Sequence, residues 1–295
     1  MNVGVIDVGS NTIRLLLASV RGAELRVVEE RTAWIQLGSD IAGQGTISEP
    51  RLEAAATAVA EFAAEARRRG CMRLETLVAS PGRQAENGSE LIRRLEAASH
   101  TTVRVLRRDE EARLAYEGAV ASMRVTAKTV AVCDVGGGST QLAIGIPGGG
   151  PAWVRSIGIG SLRLTVQAFE HDPPGKKAVA AARRLVREHF DGLAFPLPKQ
   201  ALVVGGSARG LRRLAGARTL GRDELQAAVR QLRKRPSSEI AADYGIDPER
   251  ARTLLGGALI LSEVQLRLAV PLVVGLGGVR EGATLALAAQ QQSAA

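Results

Sequence analysis

The sequence predicts an α/β protein built from two similar halves. Short apolar stretches typical of strands alternate with helical patterns along all 295 residues, a length that allows one large or two ordinary domains. Residues 5–12 and residues 132–140 resemble each other. In both copies an aspartate, Asp7 or Asp134, closes an apolar strand and precedes a glycine turn and a further strand. A duplicated domain, with one such hairpin in each half, explains the repeat.

The first half begins with three β-type segments and continues with a long alanine-rich helix. Ser48 stands just before that helix, where a side-chain oxygen commonly caps the first turn. We expect strands at residues 3–7, 13–20, 24–30, 74–79 and 102–106, and helices at residues 50–69, 89–98 and 110–123.

The second half restarts the same pattern, with a glycine- and proline-rich turn at residues 147–151. We expect strands at residues 129–133, 141–146, 153–157, 201–204 and 272–274, and helices at residues 160–169, 176–190, several between 205 and 268, and 281–289. A frayed tail is expected at residues 290–295. The predicted domains are residues 1–123 together with the C-terminal helix 281–295, and residues 124–280.

The composition excludes several classes of protein. Hydrophobic residues make up 45% and charged residues 23%, as is typical of a soluble globular protein. No apolar run approaches the roughly 18 residues of a membrane span. Residues 1–20 lack the basic start of a signal peptide, so we expect a cytoplasmic protein without a membrane partner. The two cysteines, Cys71 and Cys133, predict free thiols rather than a disulfide framework or a zinc site.

The net charge of +9 predicts polyanionic partners. Of the 39 basic residues, 34 are arginines, whose planar guanidinium suits phosphate. Aromatic residues make up only 3%, which is few for stacking nucleic-acid bases, so phosphate is favoured and no nucleic acid is expected. The basic run at residues 230–235 is interpreted as a solvated helix face, with a polyanion track as the alternative.

Three glycine-containing turns have the composition of phosphate-binding loops. Glycine lets the backbone approach an anion, and hydroxyl and N–H groups supply donors. The third turn, at residues 204–209, also opens a helix, whose N-terminus attracts anions. The chain has no GxxxxGK[ST] motif and no GxGxxG after its first strand, which excludes a P-loop protein and disfavours a dinucleotide fold. The first two turns comprise Gly9, Ser10, Asn11 and Thr12, and Gly136, Gly137, Gly138, Ser139 and Thr140.

Charged side chains near these turns are candidates for chemistry. Asp7 and Asp134 either cap their turns or face a bound phosphate, and the second interpretation implies Mg²⁺ between carboxylate and phosphate. Arg83, expected in a loop, is either solvated or a clamp on a phosphoryl group. Glu110 and Glu111 open a helix and complement its dipole, unless one of them is the base that activates water. The three histidines are scattered and form no catalytic or metal pattern.

Taken in order, these segments resemble the exopolyphosphatase/guanosine-pentaphosphate phosphohydrolase (Ppx/GppA) family, which belongs to the actin/Hsp70/sugar-kinase fold group. The resemblance runs over essentially the whole chain. It rests on five short motifs: an opening phosphate loop at residues 6–12, Ser-x-x-Arg-x-Ala-x-Asn at 80–87, Glu-Glu-Ala-Arg-Leu at 110–114, a second phosphate loop at 134–139 and a closing Gly-x-Arg-Glu-Gly at 278–282. The form resembled is the short one, without the C-terminal helical module of longer relatives.

The resemblance implies a fold and a set of site residues. The expected fold is α/β with two actin-like, ribonuclease H-like domains and a site in the cleft between them. Glu111 corresponds to the family's general base, with Glu110 as the alternative, and Arg83 to the residue that holds the terminal phosphoryl group. The remaining implied roles are phosphate binding by Ser10, Asn11, Thr12, Gly136, Gly137, Gly138 and Ser139, and binding of Mg²⁺ or another divalent cation by Asp134 with Asp7.

The implied function is an Mg²⁺-dependent exopolyphosphatase that releases orthophosphate from the end of inorganic polyphosphate, and a homodimer is implied as well. Gln36 and Gly275 depart from the family pattern, and the short form implies a shorter substrate groove. One alternative is a guanosine pentaphosphate 5′-phosphatase of the stringent response, acting on guanosine penta- or tetraphosphate. Others are a non-catalytic nucleotide or polyphosphate sensor and a kinase of the sugar-kinase type.

Overall fold

The computed structural model describes residues 1–22 and 24–292, and only the backbone of residues 291 and 292. The chain divides into two compact units. The first comprises Met1–Ala121 and Gly277–Ala295, and the second Ser122–Leu276. Among the described residues, no helix combines the length and the apolar character needed to cross a membrane.

The first unit is built on a five-stranded sheet. Its first three strands form an antiparallel meander, and the last two run parallel to the first. The outermost strand of the meander carries mostly exposed side chains, and five of its eleven residues are charged, which helps to protect a sheet edge from pairing with other chains. The strands are β1 (Asn2–Val8), β2 (Thr12–Arg21), β3 (Glu24–Trp34), β4 (Arg73–Val78) and β5 (Val103–Val105), in the order β3-β2-β1-β4-β5.

Five helices of this unit precede the second unit in the chain. They are α1 (Leu37–Gln44), α2 (Glu49–Arg68), α3 (Ser80–Gln84), α4 (Gly88–Ser99) and α5 (Arg108–Ala121). Ser48 is the N-cap of α2, as predicted, but its hydroxyl donates to Asp40 Oδ2 at 2.6 Å instead of capping the helix. Helices α1 and α3 were not predicted, because they have only eight and five residues, too few to show a helical repeat. The expectation of a loop around Arg83 was therefore wrong: Arg83 lies on α3.

The second unit contains a six-stranded sheet and six helices. Its long helix α11 is buried along most of its length, among the hydrophobic side chains of this unit's core. The strands are β6 (Val130–Val135), β7 (Thr140–Ile146), β8 (Gly150–Ile157), β9 (Gln200–Val204), β10 (Thr219–Leu220) and β11 (Leu272–Val274), in the order β10-β11-β9-β6-β7-β8. The helices are α6 (Ser161–Ala168), α7 (Lys176–Phe190), α8 (Gly205–Ala215), α9 (Arg222–Leu232), α10 (Ser237–Tyr244) and α11 (Pro248–Leu268).

The two sheets repeat one topology. Read from the meander, the first sheet runs β3-β2-β1-β4-β5 and the second β8-β7-β6-β9-β11, with β10 added at its edge. Asp7 and Asp134 lie at matching positions, each opposite a residue of the antiparallel hairpin partner and a residue of the parallel neighbour. The internal duplication predicted from the repeat is thereby confirmed.

The chain returns to the first unit through a last helix, α12 (Val279–Gln292), which packs against α5. The predicted frayed tail at residues 290–295 is wrong as far as Gln292, which is helical, and residues 293–295 lie outside the described residues.

Two glycines allow the close approach of α5 and α12. A Cβ on Gly118 would overlap the carbonyl oxygen of Gly278, and one on Gly282 would overlap that of Leu114.

We predict that Gly118→Ala destabilises the protein, because the added methyl group meets backbone rather than a movable side chain. Overpacking of this kind costs about 1–3 kcal/mol of unfolding free energy, measurable by denaturant unfolding. Gly43→Ala is the matched control, since its Cβ meets nothing within 4 Å. Equal stability of the two variants would contradict the close packing of α5 and α12.

Candidate functional site

The first glycine turn, between β1 and β2, directs its carbonyl groups into the protein. Gly9 N–H donates to Thr12 O at 3.0 Å and closes the turn. The carbonyl of Ser10 accepts from Gly38 N at 2.7 Å, and that of Asn11 accepts from Gln36 N at 3.0 Å. Within the described residues, the N–H groups of Ser10 and Asn11 have no acceptor. A turn with occupied carbonyls and available N–H groups is suited to an anion.

The second turn, between β6 and β7, repeats this arrangement. Gly136 N–H donates to Ser139 O at 3.0 Å. The N-terminal residues of α6 occupy the carbonyls: Gly136 O accepts from Ser161 N and Gly137 O from Arg163 N, both at 2.9 Å. In the part of the chain that is described, no acceptor meets the N–H groups of Gly137 and Gly138. The duplicated halves therefore carry two turns of the same donor geometry.

Arg83 and Glu111 form a buried ion pair in the first unit. Arg83 Nη2 donates to Glu111 Oε2 at 2.7 Å, and the two side chains are only 14% and 9% exposed. Arg83 Nη1 also donates to the carbonyl of Leu106, at the end of β5. The alternative that Arg83 is a solvated arginine is wrong. The pair holds a carboxylate and a guanidinium in fixed mutual orientation, as a base beside a phosphate ligand would require.

Several buried polar atoms of the first unit have no hydrogen-bond partner among the described residues. They are Asn11 Oδ1 and Nδ2, Ser80 Oγ, Arg83 Nε and Tyr116 Oη. Buried polar groups in native proteins are nearly always satisfied, by protein, water or ligand. Two of these residues, Asn11 and Arg83, belong to the sequence-predicted site. Their unused hydrogen-bonding capacity fits a polar ligand better than a purely structural role.

The neighbouring glutamate, Glu110, has a different environment. Its carboxylate pairs with the guanidinium of Arg104, which also donates to Glu75 Oε1 at 2.6 Å. Glu110 Oε2 accepts from Arg107 N–H at 3.4 Å, just before α5. Glu110 thus serves an ion-pair network and the start of the helix, whereas Glu111, one residue later, is paired with Arg83.

In the second unit, Asp134 and Arg250 lie against the N-terminus of α8. A Cβ on Gly205, whose φ is +86°, would overlap Asp134 Oδ1, and one on Gly206 would overlap the guanidinium of Arg250. Burial, and then the charge of Arg209, lowers the pKa of Arg250 to about 10, so Arg250 stays cationic at neutral pH. The third predicted turn is therefore the direct start of a helix that brings together Asp134, Arg209 and Arg250.

The proposed metal ligands form no preassembled cluster. Asp7 lies half-buried at the end of β1, and no group of three or more His, Cys, Asp or Glu side chains suited to a metal occurs among the described residues. Mg²⁺ keeps several waters and commonly binds through one or two carboxylates plus phosphate oxygens. A single carboxylate such as Asp134, beside a turn that offers N–H donors to phosphate, fits that mode of binding.

The structure also describes the two cysteines, the basic run at residues 230–235 and Gln36. Both cysteines are free, as predicted, and burial raises the pKa of each thiol. Arg235, in the basic run at residues 230–235, pairs with Glu239 and Asp243. Gln36, which departs from the family pattern, precedes α1 in a left-handed conformation, and its carbonyl accepts from Arg51.

Sequence reasoning missed Ser80, Tyr116, Arg209 and Arg250 as candidate site residues. Ser80 was part of a quoted motif but was given no role, and Arg209 was noted only as the end of the third turn. Tyr116 and Arg250 lie inside helical patterns, where a polar residue gives no local signal of its surroundings. In the structure, the hydroxyls of Ser80 and Tyr116 have no hydrogen-bond partner among the described residues. Arg250 contacts Gly206, and the charge of Arg209 lowers the pKa of Arg250.

Comparisons with known proteins place the chain in a family. The sequence pattern of the Ppx/GppA phosphatase family matches residues 16–291. The chain is 28% identical over 283 residues to Exopolyphosphatase 1 of Mycobacterium tuberculosis, covering 90% of this chain and 82% of that protein. The crystal structure of an exopolyphosphatase-like protein matches with a TM-score of 0.91 and 26% identity, over 99% of this chain and 98% of the other.

A further structure supports the fold. An exopolyphosphatase from Cytophaga hutchinsonii matches with a TM-score of 0.88 and 20% identity, over 99% of this chain and 98% of that chain. At this identity the likeness concerns the fold alone. The predicted fold class, α/β with two actin-like halves, is confirmed by these matches and by the two sheets of shared topology.

We predict that Gly206→Ala weakens the binding of tripolyphosphate by about tenfold, the loss expected for one displaced charge-assisted contact. The new methyl group would displace the flexible guanidinium of Arg250 and leave the backbone in place. Isothermal titration calorimetry measures the change, and Gly43→Ala again serves as the control. Wild-type affinity in Gly206→Ala would show that the position of Arg250 does not affect binding of this ligand.

Proposed function

Because the chain belongs to the Ppx/GppA phosphatase family, we propose that it is an exopolyphosphatase. The proposed reaction removes the terminal phosphate of inorganic polyphosphate as orthophosphate. The observation that carries the proposal is the buried Arg83–Glu111 pair, with unsatisfied polar atoms in the same unit. A relative named exopolyphosphatase, aligned over 90% of this chain, supports the substrate class.

In the proposed mechanism Glu111 is the general base. Water attacks the terminal phosphorus in line with the bridging oxygen, one of its protons passes to the Glu111 carboxylate, and the bond from phosphorus to the bridging oxygen breaks. The bridging oxygen leaves with the shortened chain. Arg83 orients the Glu111 carboxylate and offers N–H donors to the equatorial oxygens, where charge is spread in the transition state.

The glycine turns are proposed to hold phosphates of the chain. The N–H groups of Ser10 and Asn11, and those of Gly137 and Gly138, are suited to phosphate oxygens because their turns bury the carbonyls instead. Thr12 and Ser139 close these turns. Arg250 adds a positive charge at the start of α8. In these proposed roles the groups neutralise and position phosphates, which supplies most of the catalysis in phosphoryl transfer.

A divalent cation completes the proposal. Asp134, with Asp7, would hold Mg²⁺ or a similar ion directly or through water. When bound, the ion neutralises phosphate charge and stabilises the leaving oxygen. The family suggests such a requirement, and the single carboxylate beside the second turn is compatible with it.

Polyphosphate is favoured over a guanosine nucleotide because the chain has few aromatic side chains, and all of the described ones are buried or half-buried. In the second unit Trp153 and Phe195 pack with ring centroids 5.3 Å apart, and Phe195 stacks on Phe190 at 6.2 Å. A nucleobase would therefore gain little stacking energy, whereas phosphate oxygens would meet many cationic and N–H donors of the protein.

The proposal is tested by measuring orthophosphate release from tripolyphosphate, long-chain polyphosphate and guanosine pentaphosphate in the presence of Mg²⁺. Release from polyphosphate at higher kcat/KM than from the nucleotide supports an exopolyphosphatase. Preference for guanosine pentaphosphate would replace it with a nucleotide 5′-phosphatase. Binding without release from any substrate would indicate a sensor.

Glu111→Gln is expected to lower kcat by about 10²–10⁴-fold, the usual contribution of a general base, with a smaller effect on substrate binding. Glu110→Gln is the matched control, since the same change one residue earlier affects the network with Arg104 and the bond from Arg107 N–H, and leaves the Arg83–Glu111 pair in place. Single-turnover and steady-state assays measure both variants. A loss of kcat in Glu110→Gln but not in Glu111→Gln would exchange their roles.

Asp134→Asn is expected to raise the Mg²⁺ concentration for half-maximal activity by about tenfold or more, as for other losses around metal sites. The reason is that the amide removes the negative charge that attracts the cation. A Mg²⁺ titration of activity provides the measurement, with the exposed Asp109→Asn as the control. An unchanged Mg²⁺ requirement would assign Asp134 to the structure of its turn.

A further inference from the structure

A second basic site lies in the second unit, between α7, α9 and α11. These helices enclose a surface cavity of about 150 Å³. Its floor is formed by aliphatic side chains, including Val186, Leu225 and Leu259. Arginines from two helices stand around it: Arg183 and Arg187 of α7, and Arg222 of α9.

The charges around this cavity are poorly neutralised. Within the described residues, Arg183 and Arg222 have no acidic partner, and both side chains are exposed. Arg187 Nε lies 4.0 Å from Glu263 Oε2, while Glu263 Oε1 accepts from Arg267 Nε at 2.7 Å. Elsewhere arginines meet carboxylates closely, as Arg94 does with Glu49 at 2.6 Å. The cavity therefore presents a net positive charge to solvent.

The helix that forms one wall extends this positive surface. The sequence of α7 contains Lys176, Lys177 and Arg184 in addition to Arg183 and Arg187, against one acidic residue, Glu188. The helix buries its apolar face, including Val179 and Val186, in the core of the unit. Its exposed faces are left to the basic side chains, and Arg183 and Arg187 are neighbours one turn apart.

The cavity is separate from the second glycine turn of the same unit. Helix α11 connects the two regions: its residue Arg250 contacts Gly206 beside the turn, and its residues Ser262 and Leu266 line the cavity. At 1.5 Å per residue, the 12 to 16 residues between them span roughly 20 Å of helix. One phosphate group cannot contact both places, but a long phosphate chain is able to.

We propose that this cavity is an exosite for internal phosphates of a polyphosphate chain whose end is bound elsewhere on the protein. The proposal rests on polyphosphate as the substrate. Arginines about one helical turn apart suit a linear ligand with a negative charge on every repeat. None of the residues lining the cavity is aromatic, so single-stranded nucleic acid would find no stacking surface.

The exosite predicts that chain length determines affinity. A long chain contacts the second glycine turn and the cavity together, so its second contact is effectively intramolecular and strengthens binding. Tripolyphosphate is much shorter than the separation along α11 and binds only one place at a time. Salt is expected to weaken the binding of long chains more than that of tripolyphosphate, because the exposed arginines are screened.

The test is calorimetric titration of the full chain with tripolyphosphate and with long-chain polyphosphate. The double variant Arg183→Ala with Arg222→Ala is expected to weaken long-chain binding by about tenfold, and tripolyphosphate binding by less than about twofold. The matched control is Arg21→Ala with Arg26→Ala, which removes two exposed positive charges from the first unit. Arg183→Lys with Arg222→Lys retains the charge and is expected to retain most long-chain affinity.

Three results would overturn the exosite: unchanged long-chain affinity in the double variant, an equal loss in the control, or an equal loss for both ligands. The titration measures binding and not turnover. It therefore remains decisive if the protein releases no orthophosphate, the result that would instead overturn the proposed enzymatic function.

Discussion

The buried ion pair between Arg83 and Glu111 is the interaction on which the candidate site depends. A carboxylate and a guanidinium taken out of water are stable only when each satisfies the other, so the pair fixes both side chains. It also joins α3 to the first turn of α5, two elements that would otherwise be free to adjust separately. The Nε–H group of Arg83 is buried without a partner among the described residues. A substrate phosphate would accept a hydrogen bond from this N–H group, whereas the ion pair itself forms without substrate.

The duplicated glycine turns show how one backbone solution serves both halves. Each turn is closed by the same hydrogen bond, from a glycine N–H to the residue three positions later. The carbonyls of each turn accept hydrogen bonds from neighbouring segments. In the first unit the donors lie between the end of β3 and the start of α1, and in the second unit they lie at the start of α6. The proposed anion binding therefore depends on carbonyls that are hydrogen-bonded elsewhere, which leaves the N–H groups available, and glycine is needed because the turn is tight.

The close approach of α5 and α12 connects the last motif of the chain to the candidate base. Gly278 and Gly282 contact the helix that begins near Glu111, and Arg280 between them pairs with Glu30 at 3.0 Å. The closing motif thus packs against α5 and helps to fix its position. A motif that resembles part of an active site in sequence can act through packing, because a side chain in the first turn of a helix is placed by the rest of that helix.

The sequence by itself determined the α/β class, the repeated hairpins, the strands and longer helices, and the residues of both turns. These features depend on local patterns: apolar alternation, helical periodicity and glycine at tight positions. It did not reveal α1 or the helical setting of Arg83, because helices of eight and five residues are too short to show a helical repeat. Only the tertiary structure decided that Arg83 meets Glu111, 28 residues later, and that Arg250 lies against Gly206. Such contacts depend on which elements the fold packs together. A charge that is buried by this packing must then be paired with a group that the fold brings close to it.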